Sequence, residues 1–93
     1  MRTIKPVGRY KRDFKRVKAG PLGATLDSLL AEALGLLAAD KPLPERFRDH
    51  ALAGPWKDCR DCHLRPDLVL IYRKPDDATL RLLRLGSHSE LGL

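Results

Sequence analysis

HALAGPWKDCRDCHLRPD, residues 50–67, runs directly into LVLIYR, residues 68–73, and this junction decides how the chain is read. Pro66-Asp67 is a turn step between two strand-forming runs, so the stretch predicts a strand, a tight connection and a second strand. LVLIYR is apolar on both faces and suits the centre of a sheet. Lys74-Pro75-Asp76-Asp77 marks the next turn, and TLRLLRL, residues 79–85, a third strand. Connections this short make antiparallel hairpins. The first of the three strands is expected over WKDCRDCHL, residues 56–64.

Upstream, the period changes. Tyr10, Phe14 and Val17 recur at helical spacing, with lysines and arginines between them, which predicts an amphipathic helix with a cationic outer face. Gly20-Pro21 ends it. Leu26, Leu29, Leu30, Ala33, Leu34 and Leu37 form the stripe of a second helix, closed before Pro42 and Pro44. Residues 2–7 suit a short first strand. Residues 40–55, with three prolines and Gly54, form the longest irregular segment, a kind of loop that is often functional. His50 sits in it. The tail after Gly86 leaves the sheet. The expected fold is α+β in the order β-α-α-β-β-β, a single domain over residues 1–93: a small antiparallel sheet packed against two N-terminal helices.

Charge is unevenly placed. Residues 1–20 carry eight basic side chains against Asp13 alone, while residues 21–45 sum to −3. A basic face of this kind suggests a polyanion or an acidic protein partner. No run of ~18 apolar residues is present, so no membrane helix is expected. No apolar stretch of a secretory signal follows the first charges, and the chain is expected to act in the cytoplasm with reduced cysteines.

Two constellations bear on chemistry. Cys59-Arg60-Asp61-Cys62-His63 matches the C-x-x-C-H of haem attachment. Within a strand, however, Cys59 and Cys62 point to opposite faces and cannot grip one haem or one metal ion. Met1, the only methionine, is no suitable distal ligand, and neither haem, zinc nor any other cofactor is expected.

The second constellation is His50, His63, Asp67 and His88. On the strand reading, His63 ends one strand and Asp67 begins its partner. His88 follows the third strand and approaches the same edge, with His50 coming from the adjoining loop. Imidazoles exchange protons near neutral pH. Together with the cations Lys57, Arg60, Arg81 and Arg84, taken as candidate phosphate ligands, they suit metal-free cleavage of RNA.

The stretch 42–91 resembles the YafQ branch of the RelE/ParE toxin superfamily. The residues carrying the resemblance are His50, Gly54-Pro55-Trp56-Lys57, Arg60 to His63, Pro66-Asp67, Ile71-Tyr72 and Arg84-Leu85-Gly86-Ser87-His88. The resemblance implies the toxin of a type II toxin–antitoxin module, a ribosome-dependent endoribonuclease that cuts mRNA in the decoding site and is neutralised by a cognate antitoxin. It implies catalytic roles for His50, His63, Asp67 and His88, and a phosphate contact for Arg84. Leu68 and Gly92 stand where many relatives carry aromatics, which removes two surfaces for base stacking. The ParE-type alternative is a non-enzymatic inhibitor of DNA gyrase, which has no need of three imidazoles at one edge. The cationic first helix is open to two duties, holding ribosomal RNA phosphates or docking an acidic antitoxin.

Overall fold

A computed structural model describes all 93 residues. The chain runs β1 (Thr3–Pro6), α1 (Gly8–Ala19), α2 (Gly23–Ala38), β2 (His50–Ala51), β3 (Arg60–Arg65), β4 (Leu68–Arg73), β5 (Thr79–Gly86) and α3 (His88–Leu91). One five-stranded sheet has the order β1-β5-β4-β3-β2. The three strands expected around Pro66-Asp67 are present and antiparallel. The sheet as a whole is mixed, however, because β1 lies parallel to β5. In the chain, α1, α2 and strands β2 to β4 all lie between these two strands, so no tight turn joins them and nothing local forces an antiparallel pairing.

α1 and α2 cover one face. Leu26, Leu30, Ala33 and Leu37 of α2 are buried against Leu68, Leu70 and Tyr72 of β4 and Leu80, Leu82 and Leu85 of β5. The turn between the helices is close: a Cβ on Gly23 would sit 1.9 Å from the carbonyl oxygen of Lys18, so only glycine fits. Val69 and Ile71, alternating with the core residues of β4, face the other way and meet Leu91 from α3. That second face carries only a small apolar cluster and is otherwise open.

Two local expectations change. The strand expected from Trp56 begins at Arg60, because Gly54–Trp56 forms a single 3-10 turn around Pro55. The irregular segment is partly ordered: a 3-10 turn at Glu45–Phe47 drives Phe47 into the core at 1% exposure, and His50 belongs to a two-residue edge strand. The α1 stripe holds for Tyr10, which is buried, while Phe14 and Val17 pack half-buried. The residue on that face the pattern did not single out is Asp13, 3% exposed.

Asp13 has a structural task. β1 ends opposite Leu82, so β5 loses its edge partner just before Leu85. Asp13 Oδ2 accepts the Leu85 N–H at 3.0 Å, and Arg16 Nη2 donates to the Leu85 carbonyl at 3.0 Å. Two side chains of α1 thus replace the missing strand, as an exposed sheet edge requires. Arg84 Nε donates to Asp13 Oδ2 at 2.7 Å. Gly86 makes room for this arrangement, since a Cβ there would come within 2.9 Å of Arg16 Nη2.

Candidate active site

The open face of the sheet gathers the imidazoles. Register explains why: His63 pairs with Val69, Val69 with Gly86, and His50 with Asp61. Paired residues share a face, so β2, β3 and the end of β5 deliver their side chains to one place. The ring centroids of His50 and His63 are 6.2 Å apart, and those of His63 and His88 5.0 Å. His88, the first residue of α3, is aimed by a capping box. Ser87 Oγ accepts from the Glu90 N–H at 3.2 Å, and Glu90 Oε1 from the Ser87 N–H at 2.8 Å.

Each outer imidazole has its Nδ1 occupied. His88 Nδ1 lies 2.6 Å from Asp67 Oδ1, and the same oxygen accepts the His88 backbone N–H at 2.9 Å. Both bonds hold the Asp67 carboxyl below the usual carboxylate range. His50 Nδ1 lies 2.7 Å from the Arg48 carbonyl oxygen. A carbonyl only accepts, so the network assigns the proton to Nδ1 and leaves Nε2 with its lone pair. Arg48 achieves this by adopting a left-handed backbone, φ 47°, uncommon outside glycine.

Beneath the rings lies Asp61, 2% exposed, which reading the sequence did not single out. Its Oδ1 stands 3.1 Å from His50 Nδ1, yet receives no well-directed hydrogen bond, because that N–H is aimed at the nearer Arg48 carbonyl. Burial pushes the Asp61 carboxyl up; the charges of His50, His63 and His88 pull it back only partly. A signal was available: Asp61 and His63 are two apart in a strand and must share a face. His63, between the other rings, is lowered by its burial, with Asp61 opposing and His88 and His50 reinforcing the shift.

The structure therefore brings His50, His63, Asp67 and His88 together, and adds Asp61. The four cations expected beside them are placed otherwise. Arg60 lies on the helix side of β3 with its Nε 3.3 Å from Asp49 Oδ1, because strand alternation opposes it to Asp61 and His63. Arg84 is engaged by Asp13. Arg81 is five residues before Gly86, roughly 17 Å of strand from the site. Lys57 is exposed in the β2–β3 loop, at the opposite end of β3 from Asp67. Cys59 packs on the open face and Cys62 in the core, its thiol pushed up to about 12 by burial. Leu68 is core-facing at 2% exposure, so the position offers no stacking surface.

A family described as "Bacterial toxin of type II toxin-antitoxin system, YafQ" matches residues 2–92. This chain belongs to the YafQ toxin family. It is 38% identical over 90 residues to the mRNA interferase toxin YafQ of Escherichia coli, covering 97% of this chain and 95% of that protein. The crystal structure of a copper-bound mutant toxin from Helicobacter pylori superposes with a TM-score of 0.87 at 43% identity, over 98% of this chain and 99% of that one. YafQ in the E. coli DinJ-YafQ complex superposes with a TM-score of 0.79 at 33% identity, over 98% of each chain. The copper belongs to the H. pylori protein; in this YafQ-family chain no three His, Cys, Asp or Glu side chains are spaced to hold a metal ion. No helix is long and apolar enough to cross a membrane.

Proposed function

We propose that this chain is a toxin that cleaves mRNA on the ribosome, by attack of a 2′-hydroxyl on the adjacent phosphate. The observation that carries the reading is the row of three imidazoles, each outer ring backed by a carboxylate. His50 is the general base. Its Nε2 takes the 2′-hydroxyl proton, and Asp61 behind Nδ1 stabilises the imidazolium that forms. The 2′-oxygen bonds to phosphorus and the bond to the 5′-oxygen breaks. His88 is the general acid: Asp67, firmly ionised, is the counter-ion of its protonated ring, and that ring gives its proton to the leaving 5′-oxygen. His63, kept neutral by its depressed pKa, donates a hydrogen bond to the phosphate. The products are a 2′,3′-cyclic phosphate and a 5′-hydroxyl. A cognate antitoxin neutralises the toxin in the cytoplasm.

Purified protein is added to ribosomes programmed with mRNA, with naked mRNA in parallel, and 3′ ends are mapped. New cyclic-phosphate ends are expected with ribosomes only, falling ~100-fold or more in His50→Ala and His88→Ala. A substrate with a bridging 5′-sulfur needs no acid, because thiolate leaves unprotonated. It is expected to rescue His88→Ala and not His50→Ala. The opposite rescue reverses the roles. No cleavage in either sample, with loss of gyrase supercoiling instead, would replace the reading with the gyrase inhibitor.

A further inference from the structure

A cavity opens beside the imidazoles. It has a volume of about 600 Å³ and is lined by Arg46, Phe47, Arg48, His63, Leu64, Arg65 and Pro66. Three of the seven are arginines and none is an acid. They come from two segments distant in sequence, the 3-10 turn before β2 and the end of β3. Their commitments differ. Arg46 is ion-paired with Glu32 and stacks on the Phe47 ring, 4.6 Å from its centroid, so its charge is already answered. Arg65 meets only a neutral group, the hydroxyl of Thr25 at 3.4 Å, a long contact that leaves its charge uncompensated. Arg48 has no ion-pair partner at all and is exposed. Its left-handed backbone is one that residues other than glycine rarely adopt. That conformation directs the Arg48 carbonyl to His50 and ties the arginine to the site.

Two unpaired guanidiniums lining a cavity that also takes in His63, the imidazole placed on the scissile phosphate, describe a site for an anion of defined spacing. Guanidinium binds phosphate oxygens in bidentate fashion, with planar geometry that a lysine lacks. We propose that this cavity is a phosphate subsite, in which Arg48 and Arg65 hold the RNA phosphodiester next to the one being cleaved. The inference rests on the ribonuclease reading for the identity of the ligand. It replaces Lys57, Arg60 and Arg81 as the expected backbone contacts. With His63 on the shared wall, the strand passes from the scissile phosphate over His63 into the arginine cavity.

Binding is measured apart from cleavage. A short 2′-O-methyl oligonucleotide, which cannot be cut, is titrated into the full chain and followed by backbone amide shifts. The shifts are expected to centre on residues 46–48 and 63–66. Arg48→Gln with Arg65→Gln is expected to weaken binding at least fivefold and to lower the slope of log K against log salt by ~0.7, one phosphate contact on a single strand. Lys5→Gln with Arg73→Gln removes the same charge on either side of Arg81, at the other end of the sheet, and is expected to leave affinity within twofold. In the ribosome assay the cavity variant is expected to raise KM with kcat retained. Equal weakening by both double variants would show general electrostatics and overturn the subsite, as would shifts centred on α1. Local binding lost in the cavity variant alone, from a wild-type chain that never cuts mRNA, would uphold the subsite and overturn the ribonuclease reading. Cleavage by wild type with unchanged binding in the cavity variant would do the reverse.

Discussion

Asp13 and Asp61 lie on opposite faces of one sheet, both almost wholly buried, at 3% and 2% exposure. Their environments drive them in opposite directions. Burial raises the Asp13 carboxyl, but hydrogen bonds from Arg84, the Leu85 N–H and Arg16 outweigh it, and the net shift is downward. At Asp61 burial prevails, since its neighbours are imidazoles and no N–H is well aimed at Oδ1. A buried carboxylate whose oxygens are fully occupied is part of the scaffold. One left short of donors, beside groups that change charge, is poised to respond when they do. The same residue type therefore serves stability on the helix side and chemistry on the open side.

The largest effect is expected from removing the first. Asp13→Ala leaves Arg84, whose side chain is 12% exposed, without a partner, and orphans the Leu85 N–H. Breaking a buried pair from one side costs about 3–5 kcal/mol. Urea denaturation is expected to show that loss. A loss below ~1 kcal/mol would dissolve the contrast. Asp61→Asn is expected to behave in reverse. Stability stays within about 1 kcal/mol, because a reluctant charge has been removed. Cleavage falls about 10- to 100-fold, the value of a charge-assisted contact to the His50 imidazolium. An unfolded Asp61→Asn variant would make both carboxylates scaffold.

Acid sharpens the comparison further. The folded pKa of Asp13 lies below its unfolded value. Its stabilisation is complete above pH ~4 and is lost as pH falls through the folded value. The folded pKa of Asp61 lies above its unfolded value. Its contribution is complete below pH ~4 and is lost as pH rises through the folded value. Urea midpoints between pH ~2 and 6 are expected to vary less with pH below ~4 in Asp13→Asn, and in Asp61→Asn to lose the decline that Asp61 imposes above pH ~4. Identical profiles would contradict the two assignments.

The smallest effect concerns the link between the regions. Arg16 holds Asp13 at 2.9 Å and Glu90 at 3.1 Å, and Glu90 closes the capping box that aims His88. Ser87→Ala is expected to cost ~1 kcal/mol, the usual value of a lost cap, and to lower kcat more than it raises KM. Unchanged kcat would mean that Asp67 alone positions His88.

Much of this was legible in the chain. The turn at Pro66-Asp67 and the apolar run after it set two strands and their direction. The placement of His50, His63, Asp67 and His88 at one end followed, because hairpin register is fixed by turn position. The parallel direction of β1 was not legible, since a six-residue run before a helix carries no mark of its partner. Phe47 and Arg48 were hidden in a proline-rich segment without period. Asp13 looked like the lone acid of a basic helix, and nothing local distinguishes a solvated aspartate from one that closes a sheet edge.

By itself the sequence determined the two long helices, the three central strands and the meeting of the histidines, because these rest on local periodicity and on short turns. The tertiary structure alone decided which charges are free. It took Arg84 for Asp13, Arg60 for Asp49 and Arg46 for Glu32, and left Arg48 and Arg65 uncommitted beside His63. An ion pair forms between residues far apart in the chain, so its existence is a property of packing that no spacing in the sequence records.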